Sequence, residues 1–278
     1  VTFGVFLAVM AAAFLHALWN ALIKLGTSKI GAMVVLSVME VPIGLGVAYF
    51  MGPINPAAIP WVIAAGITHF AYKYFLSYAY ERGDLSRVYP IARGAAPMLV
   101  TVAGIFLLTD VMSSRQYLAI AVLAAGILMM ARGVFSSDEN RKLVPFALGS
   151  ALATACYTLI DGQGARISGN AVSYIAWVFV ADGLIFSLGM LAMRGRKVVP
   201  MGFQAWKMGT IGAAASFGAY AIAVWAMTIA PIALVAALRE TSILFAVLIG
   251  WLVFGERMSR EKAAAALVIV AGVILTRV

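Results

Sequence analysis

Few side chains in this sequence can do chemistry, and their positions are unusual. His16, Asn20 and Lys24 recur every four residues inside an apolar run, so on a helix they share one face. His69, Tyr72, Lys73 and Tyr80 fall near one face of another apolar run, with Tyr74 and Tyr78 on others. Glu40, Asp161, Asp182, Glu240, Arg93 and Arg239 are likewise embedded in apolar sequence. A buried ammonium such as that of Lys73 needs an anion beside it. Two readings stand: a fixed ion pair with Glu40 or Asp182, or recognition of a substrate carboxylate or phosphate. None of these residues forms a catalytic or metal-binding set. Two histidines without a nearby carboxylate pair make a poor zinc site. The phosphate loop G-x-x-x-x-G-K-[ST], H-E-x-x-H and G-x-S-x-G are all absent. Neither an enzyme nor a resident cofactor is expected.

The elements that must hold these residues follow from composition. The chain has 278 residues, of which 64% are hydrophobic and 11% charged, and a mean hydropathy of +1.00. Soluble domains are about 45–50% apolar and about 25% charged. A soluble enzyme, a disordered chain and a secreted disulfide scaffold are excluded, and the lone Cys156 excludes an internal disulfide. The formal charge of +9 comes from cations between apolar blocks rather than from a basic stripe, which reads as loop charge setting membrane topology and not as a nucleic-acid surface. The expected fold is an all-α polytopic membrane protein. No signal peptide is expected, since no cleavage-like stretch follows the first apolar block.

A crossing helix needs roughly 20 apolar residues. Ten spans are expected, near 3–23, 31–51, 58–80, 85–108, 116–131, 144–165, 171–193, 208–228, 231–254 and 263–276. Shifting the sequence by 146 positions overlays its halves: Arg93 falls on Arg239, Gly104 on Gly250, Asp110 on Glu256, Met112 on Met258 and Ser113 on Ser259. The expected organisation is a five-helix repeat over 1–135, a connecting loop at 136–143 and a second repeat over 144–278. Five is odd, so the second repeat enters the membrane from the opposite side, as in many secondary transporters. The charges agree. Loop 51–57 has no cation while its counterpart 194–207 has four. Loops after even-numbered spans, with the C-terminus, hold only Arg115, Arg166 and Arg277. Both termini are therefore expected on the outer, periplasmic side.

Within this frame, substrate contacts are expected from Trp19, Asn20, His69, Tyr72, Lys73, Tyr78, Tyr157, Ser216 and Tyr220, with the tyrosines as an amphipathic wall. Trp177 and Trp225 are further cavity candidates. Arg93 and Arg239, as repeat partners, either neutralise Glu40, Asp161, Asp182 or Glu240 or form gates on the two sides. Pro90 and Pro97 interrupt span four, where the second half has Ala236 and Ile243, and suit a bending gate. The small residues 263–266, Ala271 and Gly272 favour close helix packing, within the chain or between chains.

The closing stretch APIALVAALRETSILFAVLIGWLVFGERMSREKAAAALVIVAGVILTRV, with its first-half echo YPIARGAAPMLVTVAGIFLLTDVMS, resembles the EamA-type members of the drug/metabolite transporter superfamily, closest to YddG-type exporters of aromatic amino acids. The resemblance implies a helix bundle around a central cavity with alternating access. Four-span relatives exchange protons for cations through a first-span glutamate, and span one here carries no acid. The expectation is a monomeric carrier in the bacterial inner membrane that exports aromatic or hydrophobic amino acids and related metabolites. Alternatives are an exchanger of sugar phosphates or nucleotide sugars, a drug exporter, or a membrane-embedded lipid enzyme.

Overall fold

The computed structural model of the chain describes residues 2–25, 28–82, 93, 95–130, 143–255 and 258–277. Its regular elements are helical. In chain order they are α1 (Phe3–Leu25), α2 (Lys29–Met51), α3 (Ile59–Arg82), α4 (Ala96–Leu107), α5 (Ser114–Met130), α6 (Val144–Ser168), α7 (Ala171–Arg194), α8 (Phe203–Ile229), α9 (Ile232–Arg239), α10 (Ser242–Phe254) and α11 (Arg260–Leu275). In hydrocarbon every backbone N–H and C=O must be satisfied within the element, which is why apolar runs of this length become helices. Local signals set their ends. The Ser28 hydroxyl accepts from the Gly31 N–H at 3.1 Å to open α2, and Asn170 does the same for α7 through the Ser173 N–H at 3.1 Å. Between α6 and α7 the chain reverses in two residues because Gly169 adopts the left-handed conformation, with φ of 72°.

Among the described residues six helices are long and apolar enough to cross a membrane: Phe3–Ile23, Lys29–Met51, Val144–Ser168, Ala171–Arg194, Phe203–Ile229 and Ile232–Val253. Ten were expected. The described parts of α4, α5 and α11 are only 12, 17 and 16 residues long. α3 is long enough at 24 residues but carries His69, Lys73 and five tyrosines or charged residues near its C-terminus, which lower its hydropathy. The ninth expected span is broken: α9 ends at Arg239, and the chain passes through Glu240 and Thr241 before α10 begins. Pro97 sits in the first turn of α4, where an N–H has no intrahelical acceptor anyway; Arg93 before it is helical and Ala95 is a bend, so the fourth span is interrupted just ahead of it. Pro90 lies outside the described residues.

The surface is that of a protein dissolved in lipid. Tyr49, Phe50, Phe106, Leu252 and Leu267 are each at least 70% exposed, while Glu40, Lys73, Arg93, Asp161, Asp182, Arg239 and Glu240 are buried. The chain is a multi-pass membrane protein. Its most extensive helix contacts join α2 to α7, α3 to α6, α5 to α11 and α1 to α8. Small residues let two of these pairs approach closely. A Cβ on Gly183 of α7 would come within 2.5 Å of the Ser37 carbonyl oxygen, and one on Gly44 of α2 within 2.6 Å of that of Ala176. Gly126 and Gly272 make the same allowance between α5 and α11, so Ala265 and Gly272 of the last helix pack within the chain, while Ala263, Ala264 and Ala271 of the same stripe are exposed.

The two ends of the bundle are distinct. At one, the end of α1 and the starts of α2 and α8 border a cleft of about 370 Å³ that Ser28, Pro200 and Gln204 help to line. At the other, a clamp joins three connections. Asp110 takes a two-pronged ion pair from Arg166 at 2.7 and 3.1 Å and accepts the Ile232 N–H at 2.8 Å, opening α9. Arg166 also donates to the carbonyls of Met227 and Ala230, at 3.0 and 3.2 Å.

The α2–α7 contact is testable. Gly183→Ala drives a methyl into backbone and should destabilise the detergent-solubilised protein by about 1–3 kcal/mol. Gly46→Ala, which meets nothing within 4 Å, should leave the melting temperature unchanged; equal melting curves for the two variants would refute this packing.

Candidate functional site

The buried polar residues of six helices converge on one small chamber. α2 brings Glu40 and Ser37; α3 brings His69, Tyr72 and Lys73; α6 brings Tyr157 and Asp161. Asp182 and Phe179 come from α7, Ser216 and Tyr220 from α8, and His16 and Trp19 from α1. The i, i+3 and i+4 spacing of His16 with Trp19, and of His69 with Tyr72 and Lys73, puts each set on one inward face.

Lys73 is the hub. Its ammonium contacts the Glu40 carboxylate closely, lies 2.6 Å from Asp182 Oδ2 and donates to Ser37 Oγ at 2.9 Å. Those three acceptors occupy its three N–H donors, and they come from α2 and α7. Both carboxylates named as possible partners in the sequence reading are engaged at once. The Ser216 hydroxyl donates to the other Glu40 oxygen at 3.2 Å, adding α8.

Asp161 is the second hub, and the sequence reading missed its part. Its Oδ2 accepts from Tyr220 at 2.5 Å and lies 2.8 Å from His69 Nε2; its Oδ1 accepts from Tyr174 at 3.0 Å. His69 stacks on Tyr157 with ring centroids 4.2 Å apart, and Tyr72 meets the edge of Tyr157 at 5.3 Å. His69 Nδ1 is 4.0 Å from Asp182 Oδ2, so the imidazole bridges the two hubs. The signal for Tyr174 was absent from the sequence, because it reaches Asp161 only through the reversal at Gly169.

The third group forms at the break between α9 and α10. Arg93 Nε donates to Glu240 Oε2 at 2.8 Å, and Arg239 Nε stands 4.0 Å from Glu240 Oε1. The repeat partners thus meet at one carboxylate, that of Glu240. The Arg239 guanidinium faces the Tyr157 and Tyr220 rings at 5.8 and 5.6 Å, and Thr158 Oγ1 accepts from its Nη2 at a long 3.4 Å.

Among the residues expected to touch substrate, the structure brings Trp19, His69, Tyr72, Lys73, Tyr157, Ser216 and Tyr220 to the chamber wall, together with Glu40 and Asp182. Asn20 is buried beside it and donates to the His16 carbonyl at 2.8 Å. Tyr78 is placed elsewhere: its hydroxyl accepts from Arg194 Nε at 2.9 Å and its ring stacks on Phe146. Trp177 and Trp225 are each 38% exposed and do not line the chamber; the side chain of Lys24 lies outside the described residues. The sequence reading also missed Leu36 and Phe179, apolar residues in an apolar run with nothing to distinguish them. Leu36 is the wall between the chamber and the cleft beside α1, α2 and α8, since it lines both.

The chamber encloses only about 30 Å³, room for one or two waters. Its walls are aromatic and its edges charged. Such an arrangement can hold a small molecule that carries both an apolar body and ionic groups, after the walls have moved apart. Removing one partner of a buried ion pair strands the other charge, at a cost of about 3–5 kcal/mol. Lys73→Met should therefore strongly destabilise the protein in thermal unfolding, and adding Glu40→Gln should recover part of the loss. A double variant no more stable than the single one would show that Glu40 and Lys73 are not coupled.

Residues 141–278 match the EamA-like transporter family. No curated protein matches the sequence. A solved crystal structure superposes on 98% of this chain, and 98% of its own, with a TM-score of 0.77 at 17% identity; at that identity the likeness speaks for the fold alone. It extends over both halves of the chain, including the first, which the family match does not reach. The second half of the chain is thus similar to the EamA-like transporter family, and the chain as a whole shares its fold with a solved structure.

Proposed function

We propose that this protein exports amino acids with aromatic or hydrophobic side chains, and related small metabolites, across the bacterial inner membrane by alternating access. The observation that carries this reading is the chamber itself: Trp19, Tyr72, Tyr157, Phe179 and Tyr220 form apolar walls, and carboxylates and cations stand at its margins. An amino acid has the same mixture of an apolar body and two opposite charges. The broken helix at Arg239–Glu240 supports it too, since discontinuous helices form the substrate sites of many secondary transporters.

Two inverted five-helix repeats, 1–135 and 144–278, would enclose the chamber as a monomer, with both termini periplasmic. The helix contacts support this. In that scheme the contact of α1 with α8 is the counterpart of that between α3 and α6, and α2–α7 and α5–α11 join equivalent helices. These are the most extensive contacts in the bundle. Substrate would enter past Leu36 from the cleft beside α1, α2 and α8, and leave after the halves rearrange. Exchange of sugar phosphates is the second reading, favoured by the convergence of Arg93 and Arg239. Glu240 neutralises one of the two cations, and the remaining single charge matches a carboxylate better than a dianionic phosphate.

Purified protein in liposomes should move labelled Phe, Trp or Met, and Tyr157→Ala should lower the initial rate at least tenfold. Unaltered flux in that variant would remove the chamber from the pathway. For topology, Val111→Cys and Met258→Cys, each made with Cys156→Ser, should react with an impermeant thiol reagent from opposite sides of the membrane. Labelling of both from one side would exclude the inverted arrangement.

A further inference from the structure

We infer that Arg239, and not Lys73, is the anchor for the substrate's carboxylate, with Asp182 Oδ1 receiving its ammonium. This rests on the amino-acid reading above and specifies its binding site.

The sequence drew attention to Lys73, but its donors are fully used by Glu40, Asp182 and Ser37. A substrate carboxylate would have to displace a protein carboxylate to reach it, exchanging one ion pair for another with no gain. Arg239 is in the opposite situation. It is 2% exposed, yet its Nε and Nη1 have no hydrogen-bond partner, and its nearest acid, Glu240, stands at 4.0 Å, beyond hydrogen-bond reach. Buried donors left unmade are costly, and a guanidinium with donors to spare is a ready site for a carboxylate. Its position suits the task. The Tyr157 and Tyr220 rings that it faces are walls of the chamber.

Asp182 supplies the complement. Its Oδ2 is taken by Lys73, while Oδ1, equally buried, has no hydrogen-bond partner, and the residue lines the same chamber. Asp182 thus offers an unmet acceptor on the chamber's lining, and Arg239 an unmet donor packed against the Tyr157 and Tyr220 rings of that lining. That pattern selects a zwitterion over an amine or an acid alone.

The test is equilibrium binding and competition on the purified full-length protein. The ligands are phenylalanine, 3-phenylpropionate (no ammonium), 2-phenylethylamine (no carboxylate) and phenyl phosphate. The wild type should bind phenylalanine at least tenfold more tightly than 2-phenylethylamine. In Arg239→Gln the two should come within about twofold of each other, through loss of phenylalanine affinity alone. In Asp182→Asn the preference for phenylalanine over 3-phenylpropionate should shrink instead. Arg239→Lys keeps the buried charge, and should fold where the glutamine variant does not; it should show an intermediate ratio. A folded Arg239→Lys or Arg239→Gln protein that keeps the wild-type ratio overturns the assignment, even with phenylalanine transport intact. If phenyl phosphate outcompetes phenylalanine, the carboxylate assignment is overturned in favour of a phosphate. If the wild type ignores phenylalanine but binds 3-phenylpropionate through Arg239, the anchor stands and the amino-acid reading falls.

Discussion

A charge buried in a medium of low dielectric constant must find its opposite, and the bundle is arranged around that requirement. Lys73 on α3 is held between Glu40 on α2 and Asp182 on α7. Glu40 in turn accepts from Ser216 on α8, and His69 carries the network on to Asp161 on α6. One set of contacts therefore fixes the mutual positions of five helices. The apolar surfaces of those helices do not discriminate between one neighbour and another, since lipid is as apolar as they are. Position is set by the polar groups, and by the glycines that let α2 and α7 come close enough for the ions to meet.

The same requirement places the site. Polar groups are expensive in hydrocarbon and persist where they face one another or a cavity. Here they do both. Tyr220 holds Asp161 with its hydroxyl while its ring forms part of the chamber wall and faces Arg239. The ionic network and the chamber wall share side chains, so a change that opens the chamber also loosens the network.

Much of this was legible in the sequence. Apart from the fourth and ninth spans, the helices begin and end within a few residues of the limits set by hydropathy, because burial of the backbone in lipid favours a helix. Most of the chamber residues were found by a simple rule, that a polar side chain deep in an apolar run has a reason to be there. The rule located Lys73 and both its partners but could not say that all of its donors would be used. It could not assign Asp161 to His69, 92 residues away in sequence, since that pairing is a product of tertiary structure. It misplaced Tyr78, whose period on α3 gives no hint that Arg194 reaches it. It was silent on Leu36, whose importance is entirely a matter of what lies on either side. The break after Arg239 was also hidden: no proline or glycine marks it, and the residues there are ordinary helix formers.

The Asp110 clamp has a mechanical consequence. A single carboxylate serves as the ion-pair partner of Arg166 and as the acceptor that starts α9, while the same arginine grips the turn leading into that helix. These bonds converge on two side chains, Asp110 and Arg166, so each side chain holds several of them at once. The loss of either side chain therefore loosens three connections at that end of the bundle together.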